Sequence, residues 1–171
     1  PRVALVLPTS LCAGQVSLMI ADKLNRLPHH DFDRAVALSH TEGCGNSGGE
    51  SERLFLRTMA GYLAHPFVAK GLLLEHGCEK THNDAFRNVL HELNVPESRF
   101  GFRSIQLDGG IENVTAKALD WFRERNDEAK SQTPFALALH GRVLPRAATE
   151  AFGIVYSALT SAGATLVLSE P

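Results

Sequence analysis

The run VAKGLLLEHGCEK, residues 68–80, decides how the rest of the chain is read. Its first eight residues are almost continuously apolar, as a parallel strand covered on both faces requires, because neither face is left for alternating polar side chains. The run then breaks at once into a polar, glycine-containing turn that carries a cysteine. Five further runs rich in Val, Leu, Ile and Ala share this character, at residues 3–7, 34–39, 102–107, 135–139 and 165–168. Between the six runs lie five segments with helical period. Val16, Ile20, Leu24 and Leu27 mark the first and Leu54, Phe55, Met59 and Tyr62 the second. Phe86, Val89, Leu90 and Leu93 mark the third, Ile111, Val114, Ala118 and Phe122 the fourth, and Phe152, Val155 and Leu159 the fifth. Strict alternation of strand and helix predicts right-handed crossovers, and so a doubly wound, Rossmann-like α/β domain. Its six-stranded, mostly parallel sheet would carry helices on both faces.

The chain of 171 residues is long enough for one domain with a substantial core. With 44% hydrophobic and 21% charged residues it has the balance of a globular protein, and a net charge of -2 creates no field to attract nucleic acid or an anionic membrane. No run approaches the roughly 20 apolar residues that span a bilayer, and the opening VALVLP is too short and wrongly flanked for a secretory signal. The expectation is a cytoplasmic protein with neither nucleic-acid nor membrane partners. The chain starts at Pro1 and stops at SEP after a strand-like run, as a piece of a longer polypeptide would. The polar stretch 123–133 is the expected exposed or mobile connection, too short to separate domains.

The three cysteines are the unusual feature. Cys12 follows the first strand run in PTSLCAG, Cys44 the second in SHTEGCG and Cys78 the third in LEHGCEK, each in a glycine-rich or polar segment. Three thiols cannot all pair, so reduced cysteines are expected rather than a disulfide framework. All three fall at carboxyl ends of strands, the edge where an open α/β sheet binds its ligands. His40, Glu75, His76, Asp108 and His140 fall at or just past strand ends on the same reckoning, along with Gly43, Gly45, Gly77 and Gly109. Thiols, imidazoles and carboxylates gathered on one edge make the inventory of a metal or acid/base site. The plain alternative is that small residues, free cysteines included, fill gaps at a glycine-rich edge.

A second pattern competes for the loop HTEGCGNSGGE, residues 40–50. Gly43-x-Gly45-x-x-Gly48 matches the dinucleotide fingerprint in spacing and stands between a strand and a helix. It follows the second strand rather than the first, however, and Glu75 is too far along to serve as the ribose-binding acid. No G-x-x-x-x-G-K-[ST] phosphate loop occurs. His29 and His30 after Pro28 read as solvated, His65 before Pro66 as a helix end, and His82 and His91 as exposed positions on or near the third helix. Lys80, Arg103 and Arg142 are cations able to anchor a carboxylate, although surface solvation is the default for each.

PTSLCAG, HTEGCGNSGGE, HPFVAKGLLLEHGCE and IQLDGG occur in this order over residues 3 to about 115. Together they resemble the D-galactarate dehydratase/altronate dehydratase (altronate hydrolase) family, and the closing GATLVLSEP looks like that family's strand ending in Ser-Glu. The family's fifth strand leads into a cysteine-containing motif ending in Ser-Asp, whereas this chain reads ALHGRVLPRA. The resemblance implies the central α/β part of a multidomain cytoplasmic hydro-lyase, which eliminates water from a sugar acid with iron or another divalent metal. Its partner would be a small sugar acid, with contact either to other domains of the longer enzyme or within a homo-oligomer. On this reading Cys12, Cys44 and Cys78 converge on iron, as a single ion or an iron–sulfur cluster with one position open. His40 or His76 would act as base with Glu79 as a further catalytic candidate, and Thr9, Ser10, Gly43, Gly45, Lys80 and Asp108 would line the substrate. Two other readings stay open: a Rossmann-like module binding a nucleotide or phosphorylated metabolite, and a catalytically silent interaction domain.

Overall fold

The structure is a computed structural model that describes residues 2–28, 31–44 and 48–124. It also describes the backbone of residues 136–140 and 165–169 and a few residues between 153 and 161. The chain divides into two compact units, Pro1–Ala129 and Lys130–Pro171. In the first, the order is β1 (Val3–Pro8), α1 (Leu11–Arg26), β2 (Arg34–Ala37), α2 (Gly49–Leu63), β3 (Val68–Glu75), α3 (Asn83–Glu92), a 3-10 turn (Glu97–Arg99), β4 (Phe100–Ser104) and α4 (Ile111–Arg123). Its four strands form one sheet in the order β2-β1-β3-β4, and every pairing is parallel. The second unit contains β5 (Ala136–His140) and β6 (Thr165–Ser169), a parallel pair in register from Ala136 with Thr165 to His140 with Ser169.

The doubly wound α/β architecture of the first unit agrees with the alternation in the sequence. Of the expected single sheet of six strands, the first unit holds four; β5 and β6 belong to the second unit and bond to each other. The residues assigned to a fifth helix, Phe152, Val155 and Leu159, lie outside the described residues, as do His29, His30, Arg142 and residues 125–133.

Burial explains why the strands read as unbroken apolar runs. Ala4, Val6, Leu72 and Leu74 face one side of the sheet and pack with Val16, Ile20 and Leu24 of α1 and Val114, Ala118 and Phe122 of α4. Their neighbours Leu5, Leu7 and Leu73 face the other side and pack with Phe55, Met59 and Leu63 of α2 and Phe86 and Leu90 of α3. With helices on both faces, successive residues of β1 and β3 are nearly all buried, so the alternation of polar and apolar positions is lost.

Two details depart from the periodicity read in the sequence. In α2 the buried stripe is Phe55, Leu56, Met59, Ala60 and Leu63, while Leu54 and Tyr62 are 70% and 48% exposed. Four apolar residues near helical spacing fit two faces, and only the sheet chooses between them. The strand read at 102–107 begins earlier, at Phe100, and ends at Ser104. There the Asp108 carboxylate accepts the Ser104 amide, Asp108 N–H bonds Ser104 O, and Gly110 N–H bonds Ile105 O, which folds the apolar-looking SIQL tail into turns.

Lys70, Glu75 and Ser104 are buried polar exceptions within the strands, and Lys70 is the most deeply buried of them. Lys70 is only 1% exposed, and its ammonium donates to the carbonyls of Trp121 and Glu124 at 2.8 and 2.7 Å, while lying 4.5 Å from the Trp121 ring centre. It satisfies carbonyls at the C-terminal end of α4 that have no partner within the helix, where a cation also meets the negative end of the helix dipole. Burial lowers its pKa, and Asp31 and Glu124 only partly oppose that. Lys70→Met is expected to lower the unfolding free energy by about 2–4 kcal/mol, since it strands these buried acceptors. The urea unfolding midpoint should fall at unchanged slope; an unmoved midpoint would mean that the carbonyls have other partners.

Candidate functional site at the β1/β3 switch point

In the order β2-β1-β3-β4 the chain leaves β1 towards β2 on one side and crosses to β3 on the other. The loops after β1 and β3 therefore diverge, and the crevice between their carboxyl ends is where such sheets hold ligands. Most residues singled out in the sequence sit on these loops or on the loop after β2.

Glu79 closes the floor of the crevice. It is 2% exposed, and its Oε1 accepts the hydroxyls of Thr9 at 2.8 Å and Ser10 at 2.9 Å together with the amide of His76 at 2.8 Å. Its Oε2 accepts the amide of Gly77 at 2.6 Å. Burial by itself raises this carboxyl, but its own amide, those of His76 and Gly77, and the Thr9 hydroxyl overcome that and bring it down to about 2. Glu79 thus ties the β3 loop to the β1 loop, and Thr9 and Ser10, both fully buried, are consumed in the tie.

Gly43 fixes the third loop. It adopts φ +102°, and a Cβ there would lie 2.2 Å from the Thr9 carbonyl oxygen, so only glycine lets the β2 loop pack on the β1 loop. Beside it the Leu11 amide donates to Glu42 O at 3.0 Å. Cys44, the next residue, is thereby brought against Cys12 in the first turn of α1, with the sulfurs 3.5 Å apart and both residues exposed. Contact with Cys44 raises the Cys12 thiol, first through the shared hydrogen bond and then through charge repulsion, since two adjacent thiolates repel; Cys78 and Glu79 add to it electrostatically. Cys78, also exposed, has its sulfur 3.2 Å from His76 Nδ1.

The His40 ring is engaged on both sides by backbone. Nε2 lies 2.8 Å from the Pro8 carbonyl and Nδ1 accepts the Glu42 amide at 3.2 Å, which holds the proton on Nε2 and ties the ring to the ends of β1 and β2. Gly45 lies outside the described residues. Lys80 is exposed on the rim. Asp108 stands further along the edge, below β4. Burial would raise its carboxyl, but a 2.8 Å contact with Lys117, the Ser104 amide and nearby Arg103 hold it below the usual carboxylate range.

Asp108 borders a pocket of about 390 Å³ whose lining includes Glu75, His82, Asn83, Arg103 and Ser104. Within it Arg103 Nε and Asn83 Oδ1 are buried and have no hydrogen-bond partner among the described residues. Sequence reading did not single out Asn83, which looks like an ordinary helix-start residue, nor Glu52. The Glu52 carboxylate accepts the Gly48 amide and the Thr81 hydroxyl and so links the β2 and β3 loops.

Two thiolates on one tetrahedral ion, with metal–sulfur bonds of about 2.3 Å, stand about 3.8 Å apart. The Cys12–Cys44 pair is therefore at the spacing of two ligands, and its donor chemistry suits a soft or borderline cation. Among the described residues no three His, Cys, Asp or Glu side chains are grouped as the ligands of one ion, so the pair accounts for two positions only. No helix of the described residues is long and apolar enough to cross a membrane.

Fold and site together define a doubly wound α/β domain with a thiol-bearing carboxyl edge. The chain belongs to the D-galactarate dehydratase/altronate hydrolase family, whose second-domain model matches residues 3–130. A search of the curated proteins gives no match, and a search of the solved structures gives none.

Because the folded Glu79 pKa lies below its ordinary value of 4.5, the carboxylate contributes stability in full above that value and loses it as pH falls towards about 2. Glu79→Gln, which turns two donor hydrogens towards donors, should cost about 2–4 kcal/mol near neutral pH. It should also flatten the fall of melting temperature between pH 4.5 and 2. An equally steep acid limb in the variant would move the responsible group elsewhere.

Proposed function

We propose that this domain contributes to the elimination of water from a hydroxylated sugar acid such as altronate or galactarate, giving a 2-keto-3-deoxy acid. One observation carries the reading: a chain of this dehydratase family holds two thiols in contact beside a third thiol paired with an imidazole, on the ligand-binding edge of its sheet.

The reaction removes the proton next to the carboxylate, expels the neighbouring hydroxyl as water and leaves an enol that tautomerises to the ketone. Iron or another divalent metal, with Cys12 and Cys44 as two of its ligands, would supply Lewis-acid stabilisation of the substrate carboxylate and of the departing hydroxyl. His76 is the base in this scheme: Nδ1 rests on Cys78, and Nε2 has no hydrogen-bond partner among the described residues. His40, with both nitrogens on backbone, orients the β1 and β2 ends in the same scheme, and Glu79 holds the His76 loop in place. Arg103 supplies positive charge for the substrate carboxylate in the pocket that Asp108 borders, with Asn83 Oδ1 accepting from a substrate hydroxyl, and Lys80 is a second cation exposed on the β3 loop.

The test is metal analysis of oxygen-free protein, as the longest natural polypeptide that contains this chain, together with assay for 2-keto acid from altronate and galactarate. Stoichiometric iron or another divalent metal, product formation, and loss of both in Cys44→Ser are expected. Metal-free, inactive protein that is stabilised thermally by a nucleotide would replace this reading with that of a nucleotide-binding module.

A further inference from the structure

The sulfurs of Cys12 and Cys44 touch without being bonded, and both residues are exposed. Their contact is built by backbone. The Leu11 amide on Glu42 O and the seating of Gly43 on the Thr9 carbonyl hold the two loops together at the residues adjoining each cysteine. A disulfide requires a sulfur separation of about 2.05 Å, so from 3.5 Å the sulfurs need approach by only about 1.5 Å. Thirty-two residues separate them in sequence, yet the fold has already met the cost of bringing them together.

We propose that Cys12 and Cys44 are a reversible oxidation site that closes to an intramolecular disulfide in exchange with small disulfides of the glutathione class. One thiolate attacks a sulfur of the small disulfide and forms a mixed disulfide, expelling the first thiolate. The second cysteine, losing its proton, attacks the protein sulfur of that mixed bond and expels the other thiolate. Two electrons pass from the cysteine pair to the reagent, and the two thiol protons end on the two small thiols. The intramolecular second step is favoured over attack by solution thiol, because its partner is already in contact. Cys78 takes no part in the intramolecular step, as its sulfur rests on His76 rather than on either partner.

The bond does not depend on the dehydratase reading, since it needs only two reachable thiols. If that reading holds as well, oxidation removes both donors that the pair offers a soft cation.

The test uses the whole chain, freed of metal by chelation, reduced, and then equilibrated with oxidised and reduced glutathione under nitrogen. Expected are a peptide pair linking Cys12 to Cys44 within the monomer, Cys78 outside that bond, and recovery of all three alkylatable thiols with dithiothreitol. Cys78→Ser should form the same bond, and Cys44→Ser should stop at the mixed disulfide with glutathione. Three thiols that stay alkylatable, a linkage through Cys78, or bonds only between chains would overturn the proposal. Failure here, with metal bound and product formed in the preceding experiment, would leave the dehydratase reading standing.

Discussion

The buried carboxylate of Glu79 is the constraint on which the edge of this sheet depends. In a parallel sheet the loops after neighbouring strands are pulled apart at the switch point, because α1 and α3 pack on opposite faces. Two hydroxyls from the β1 loop and two amides from the β3 loop converge on this one carboxylate and draw the loops back together. A charge so deeply buried is tolerated only because its lone pairs are nearly all used. Its pKa of about 2 measures that satisfaction: hydrogen bonds outweigh the penalty of burial. Remove the carboxylate and four donors lose their common acceptor, so the positions of His76 and Cys78 are no longer determined.

The second constraint is steric and comes from the β2 loop. Glycine at 43 lets that loop lie directly on the Thr9 carbonyl, and the cysteine that follows then meets Cys12. The His40 ring, bonded to the Pro8 carbonyl and the Glu42 amide, fastens the same two segments from the other side. Loops from three strands are thus held by one carboxylate, one glycine and one imidazole, while the sulfurs stay at the surface. Residues that anchor and residues left reactive differ in how many partners their polar atoms have. Thr9, Ser10, Glu79 and His40 are engaged; Cys12, Cys44, Cys78 and the far nitrogen of His76 are not fixed in that way.

How much of this was legible beforehand follows from the range of each interaction. Strand and helix alternation is local, so the runs at 3–7 and 68–75 predicted β1 and β3 almost to the residue, and the placing of the cysteines at strand ends followed directly. The sequence could also say which residue types would share an edge, because a parallel sheet puts every strand's carboxyl end on one side. Helix faces were less legible: Leu54 and Tyr62 keep helical spacing with Phe55 and Met59, yet point to solvent. The number of strands in one sheet was less legible still, since apolarity marks a strand without saying which strand it pairs with.

What the sequence determined by itself is the α/β class, its parallel strands and the gathering of thiols, imidazoles and carboxylates on one edge, because apolar periodicity and chain direction are properties of short segments. Only the tertiary structure decided which of those groups are held and which are presented. The tie of Glu79 to Ser10, the anchoring of Lys70 on α4, the bond of His40 to the Pro8 carbonyl and the contact of two sulfurs all arise between residues at least 32 positions apart. Hydrogen-bond satisfaction and steric fit belong to the assembled fold, and the same residue types on the same loops would have served other roles had the loops closed differently.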